Sequence, residues 1–182
     1  MTESVFTPAN QLTLLRMLLI PVFVLCVLYG RPGWALASFI VAGVTDMLDG
    51  LVARKSGQTT MIGAWLDPMA DKLLITTTLV MLTMPGLGLA NRLPVWLTVL
   101  VISRDVGIVL TVAVWNLAVA RRTFRPSMLG KVTTAVYLVT CTMALYANYQ
   151  GEPSELVTVL IYLSLGLTVA SAAHYVWRMM RT

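Results

Sequence analysis

The chain has 182 residues and a net charge of +5, yet only 12% of its residues are charged while 58% are hydrophobic, with a mean hydropathy of +0.81. A soluble domain carries about 25% charged residues, so a soluble enzyme or binding module is excluded and lipid is the expected solvent. In a membrane chain a basic surplus marks loops that face anionic lipid, so nucleic acid is not an expected partner.

A transmembrane helix needs roughly 20 predominantly apolar residues, and six such stretches follow one another: about 11–30, 33–54, 62–84, 93–118, 127–149 and 155–177. Residues 1–10 hold neither a basic run nor a small-residue cleavage site, so they do not read as a signal or transit peptide. They predict a short interfacial segment instead, and the missing transit sequence favours a prokaryotic inner membrane. The first span contains Arg16 near a membrane end, where it is read as facing lipid headgroups. Gly30-Arg31-Pro32-Gly33 is a turn, and the second span runs into the polar loop Arg54 to Thr60. The third span ends at the turn Pro85-Gly86-Leu87-Gly88, and Gly151-Glu152-Pro153-Ser154 separates the fifth from the sixth. Cys26 and Cys141 lie in distant apolar spans and are read as packing residues. Trp34, Trp96 and Trp177 near span ends read as interfacial anchors, and His174 as a packed or singly hydrogen-bonded side chain. A single all-α integral membrane domain, residues 1–182, accounts for the whole length.

With the N-terminus in the cytoplasm, one side collects Arg54, Lys55, Arg121, Arg122, Arg125, Arg178 and Arg181, against Arg31 and Arg92 on the other. This positive-inside bias predicts six transmembrane helices with both termini cytoplasmic.

Five of the eight acidic residues, Asp46, Asp49, Asp67, Asp71 and Asp105, fall inside spans. A charge at the centre of a membrane helix costs about 2.5–3.5 kcal/mol on insertion scales. Such a cluster needs a purpose, and the bland alternative is a set of ion pairs tying helices together. Asp46 and Asp49 are three residues apart and Asp67 and Asp71 four apart, so each pair shares one helix face. Gly50 and Ala53 continue the first face, and Gly63 precedes Asp67 by one turn on the second. Small residues there let helices, or a ligand, come close. A short cytoplasmic loop between the two helices can bring all four carboxylates together.

Close carboxylates repel unless cations intervene, and oxygen ligands without His or Cys favour Mg²⁺, Mn²⁺ or Ca²⁺ over zinc. Two ions would clamp a transferring phosphate and its leaving group, and Arg54 is suited to a diphosphate. Intramembrane carboxylates also mark ion or proton transporters. Those usually show repeated halves or broken helices, and neither is evident in the sequence.

The order Asp46, Asp49-Gly50, Ala53-Arg54, then eight residues to Gly63, then Asp67 and Asp71, resembles the signature of the CDP-alcohol phosphotransferases at all eight fixed positions. The resemblance implies that family's fold and the transfer of a phosphatidyl-type group from a CDP-linked lipid to an alcohol, with release of CMP. It implies two Mg²⁺ or Mn²⁺ ions on Asp46, Asp49, Asp67 and Asp71, with Asp71 also taking the acceptor's proton. Asp49, Gly50, Ala53, Arg54 and Gly63 would hold the CDP portion, and a homodimer is the implied assembly.

For the acceptor, the run from Asn10 to Arg16 resembles the first helix of the phosphatidylglycerophosphate and cardiolipin synthases, with Ala9 where that branch usually has proline. Ser103-Arg104-Asp105 and Lys131-Val132-Thr133-Thr134-Ala135-Val136 look more like cardiolipin synthases. The resemblance therefore implies CDP-diacylglycerol as donor and phosphatidylglycerol as acceptor, with glycerol 3-phosphate as the alternative. Arg104 and Lys131 are the candidates for gripping the acceptor's phosphate; for Arg104 the alternative is an internal pair with a neighbouring acid.

Overall fold

The computed structural model describes the backbone of residues 8–56, 61–118 and 128–180 and the side chains of 11–48, 66–111, 128–175 and 177. Six helices follow in order: α1 Pro8–Leu28, α2 Pro32–Ser56, α3 Met61–Thr83, α4 Val95–Ala118, α5 Met128–Gln150 and α6 Glu155–Met180. No strand occurs among the described residues. Each helix lies within a few residues of the span expected for it. The interfacial segment expected over residues 1–10 lies mostly outside the described residues, and α1 already begins at Pro8, a position where a missing N–H costs nothing.

The link from α1 to α2 is tight because its chemistry allows an abrupt stop. Gly30 adopts φ 63°, its N–H donates to the carbonyl of Val27 (3.1 Å), and the N–H of Arg31 donates to that of Cys26 (2.8 Å). That pair of bonds closes a Schellman motif, which needs a left-handed residue that glycine supplies without strain. α1 then lies along α2, and Phe23 meets Phe39 with ring centroids 6.2 Å apart. Further along, a Cβ on Gly33 would come within 3.1 Å of the Tyr149 ring, so α2 and α5 approach closely there.

The core runs through the middle of the bundle and includes Phe23, Phe39, Leu79, Leu82, Leu97 and Leu145. Hydroxyl pairs tie the helices across it: Thr83 with Thr98 (2.6 Å), Thr140 with Ser164 (3.0 Å) and Tyr137 with Thr168. Both cysteines are free, as packing residues should be. Much of the outer surface is apolar, with Leu18, Val99, Val109 and Val159 exposed. Among the described residues, three stretches are long and apolar enough to cross a membrane: Gln11–Leu28, Met128–Gln150 and Glu155–Tyr175. α2 contributes a shorter apolar stretch, Pro32–Leu48, before its charged end.

Candidate active site

Three helices build the site by continuing their core-facing stripes into polar residues. On α1 the buried positions Thr13, Arg16, Ile20, Phe23 and Val27 recur every three or four residues. On α2 the stripe of Ala35, Phe39, Ala42 and Thr45 leads to Asp46. On α3 the buried Thr78, Leu74 and Ala70 lead back to Asp71 and Asp67. Pro68 sits between those last two carboxylates, so the carbonyl four residues earlier has no N–H donor within the helix.

Arg16 is completely buried, whereas the side chains of Asp46 and Asp71 are each 40% exposed. Its Nη2 lies 3.0 Å from Asp46 Oδ1 on α2, and its Nη1 donates to Asp71 Oδ1 on α3. Thr13, one turn earlier on α1, donates its hydroxyl to Asp67 Oδ1. The expectation that Arg16 faces lipid headgroups is therefore corrected. Its planar fork reaches two carboxylates on different helices, a geometry that a headgroup contact would forgo. Removing a carboxylate partner leaves the buried guanidinium under-compensated, at a cost below the about 3–5 kcal/mol of a fully buried pair because Asp46 and Asp71 are partly exposed.

α1 thus lies against one oxygen of each of Asp46, Asp67 and Asp71, while the side chains of Asp46 and Asp71 stay partly open to solvent. The donor set is carboxylate only, which suits a hard divalent cation. Among the described residues no three Asp, Glu, His or Cys side chains converge closely enough to hold one ion. The fourth expected ligand, Asp49, lies on α2 with its side chain outside the described residues, as do Gly50, Ala53 and Arg54 on α2 and Gly63 on α3.

Neighbouring residues on a helix point apart, and α3 uses this to serve two surfaces. Lys72, next to Asp71, turns to α4 and pairs with Asp105 Oδ2 at 3.1 Å. Asp105 also accepts from Arg104 Nη1 (2.9 Å), and Arg104 Nη2 donates to Ser171 of α6 (3.0 Å). The internal pair weighed for Arg104 is present, and its Nε is buried without a hydrogen-bond partner. Beside this chain of charges a groove of about 360 Å³ opens between α3 and α4, lined by Lys72, Asp105 and the apolar Ile102, Val106, Val109 and Leu110. Lys131 is exposed on the first turn of α5. His174 packs beside Trp177, ring centroids 6.1 Å apart.

Residues 6–170 match the family model of the CDP-alcohol phosphatidyltransferases. The chain belongs to that family. A "Probable phosphatidylglycerophosphate synthase" of Mycobacterium tuberculosis is 38% identical over 183 residues, spanning 95% of this chain and 81% of that protein. The human "Cardiolipin synthase (CMP-forming)" is 31% identical, spanning 94% of this chain and 61% of that protein. The "CDP-diacylglycerol--glycerol-3-phosphate 3-phosphatidyltransferase" of Bacillus subtilis is 32% identical, spanning 97% and 98%.

Membership makes this CDP-alcohol phosphatidyltransferase an enzyme of phospholipid biosynthesis and displaces the transporter reading of its intramembrane carboxylates. The matched segment takes in α1, including Thr13 and Arg16, as well as the aspartates on α2 and α3. The α1 residues were the part of the site that motif spacing missed. Thr13 and Arg16 sit at i and i+3 in the first span, but that span is apolar on every side, so its buried face has no contrast in the sequence.

Proposed function

We propose that the chain transfers the phosphatidyl group of CDP-diacylglycerol to the hydroxyl of phosphatidylglycerol, giving cardiolipin and CMP. The observation that carries this reading is that Asp46 of α2 and Asp67 and Asp71 of α3 are all held by one turn of α1, through Arg16 and Thr13, with Asp46 and Asp71 partly exposed. The acceptor oxygen attacks the phosphorus that bears diacylglycerol. The bond from that phosphorus to the CMP oxygen breaks, CMP leaves with the bonding pair, and Asp71 takes the acceptor's proton.

Asp46, Asp49, Asp67 and Asp71 would hold two Mg²⁺ or Mn²⁺ ions, which when bound offset charge on the diphosphate and on the leaving group. Asp49, Gly50, Ala53, Arg54 and Gly63 hold the CDP portion, Arg54 as a fork for phosphate oxygens. Arg104 and Lys131 receive the phosphate of the acceptor. All six helices cross the inner membrane in this reading, with both termini and the mouth of the site on the cytoplasmic side, where the basic loop residues gather. A homodimer belongs to the same reading and is checked by light scattering of the purified protein.

A second reading takes glycerol 3-phosphate as acceptor, and the 38% identity to the mycobacterial relative favours it. Purified protein given CDP-diacylglycerol, Mg²⁺ and an equal mixture of the two acceptors separates them, with products resolved by mass. Cardiolipin is the expected product; phosphatidylglycerophosphate alone would move the assignment to the second acceptor.

A further inference from the structure

α1 carries none of the motif residues, yet it meets the site with two side chains that are 0% exposed, Thr13 and Arg16. Each spends its polar end on a motif carboxylate: Thr13 on Asp67, Arg16 on both Asp71 and Asp46. Three carboxylates from two helices therefore each have one oxygen, Oδ1, fixed by α1. Asp46 and Asp71 remain 40% exposed despite these contacts.

We propose that Thr13 and Arg16 are positioning residues for the cation site, setting the rotamers of Asp67, Asp46 and Asp71 so that their remaining coordination capacity is left for the cation. The inference rests on the proposed ligand role of those aspartates. A carboxylate held through one oxygen loses rotational freedom before any cation arrives, and outer hydrogen-bond partners of metal ligands typically account for 10–100-fold in affinity or activity. Arg16 does more than neutralise. A guanidinium can bridge α2 and α3 through two nitrogens at a fixed spacing, whereas a lysine ammonium is a single point of charge. Thr13 adds no net charge, so its hold on Asp67 is the single hydrogen bond from its hydroxyl.

The test is Mn²⁺ binding to the purified full chain without lipid substrate, read as loss of the free-ion signal in electron paramagnetic resonance. Thr13→Val keeps shape and removes the hydroxyl; Thr13→Ser restores it; Arg16→Lys keeps the charge and removes the fork. Thr13→Val and Arg16→Lys are expected to weaken Mn²⁺ binding by about 10-fold or more, with Thr13→Ser close to wild type. kcat for CMP release is expected to fall with it, while the KM for CDP-lipid stays within about twofold, a split that loss of a general structural contact would not produce. Affinity within about twofold of wild type in either Thr13→Val or Arg16→Lys overturns the proposal. Wild-type protein that binds no Mn²⁺ and releases no CMP overturns instead the reading of the aspartates on which it rests.

Discussion

Asp71 stands under two demands: it pairs with the buried Arg16, and in the proposed reaction it must accept a proton from the acceptor hydroxyl. Its 40% exposed side chain leaves an approach for the substrate. Asp71→Asn keeps the size and removes the base. It is expected to lower CMP release by at least about 100-fold, the usual contribution of general base catalysis, while CDP-lipid binding by equilibrium dialysis survives. Full activity in that variant would remove Asp71 from the base role.

Lys131, exposed on α5, is assigned to the acceptor rather than to CDP-diacylglycerol in the proposed reaction. Lys131→Ala is expected to raise the KM for the acceptor much more than that for CDP-diacylglycerol; equal changes in both would make it a structural residue. Arg16 shows where single-residue reading ran out. Its partners lie 55 residues away for Asp71 and 30 for Asp46 along the chain. A cation near the end of an apolar span fits headgroup and interior equally well until the packing of α1 against α3 is known.

The elements themselves were legible, because lipid imposes a length and turns need special residues. The fifth span, expected at 127–149, is α5 at Met128–Gln150, and the turn at Gly30 is a helix stop with a defined pair of bonds. Which face of each helix is buried was not legible for most spans, since side chains facing lipid and core are both apolar; on α2 and α3 the spaced carboxylate pairs marked one face.

At the end of α3 away from the aspartates, about 18 Å from Asp71 at 1.5 Å per residue, the loops are joined by Asn91. Its Nδ2 donates to the carbonyl of Glu152 (2.7 Å), its Oδ1 accepts from the N–H of Ser154 (2.7 Å), and its own N–H donates to Asn148 Oδ1 (2.7 Å). Asn91→Ala loses the two side-chain bonds, each worth about 1 kcal/mol net. It is expected to lower stability by about 2 kcal/mol in thermal unfolding of the detergent-solubilised protein, with the KM for CDP-lipid unchanged. An unaltered Tm would show that the loops are held by the apolar contacts beneath them.

Over the whole molecule, the charges divide into two systems that share α3. One face presents Asp67 and Asp71 to α1 and α2, and the other presents Lys72 to Asp105, linked through Arg104 to Ser171 of α6. A bundle whose outer surface is widely apolar can hold such groups only if they answer one another or a ligand. The donor chemistry was readable from eight spaced residues, and family membership agrees with it. The acceptor was not, because it lies outside that motif, and relatives named for both products match the chain at similar identity.

The central claim, phosphatidyl transfer at the aspartates, is tested most directly by CMP release from CDP-diacylglycerol by the purified chain with Mg²⁺ and an acceptor. The expected result is CMP and a new phospholipid formed in equal amounts, with both lost when EDTA removes the divalent ion. No CMP with any alcohol, or CMP release undiminished by EDTA, would contradict it.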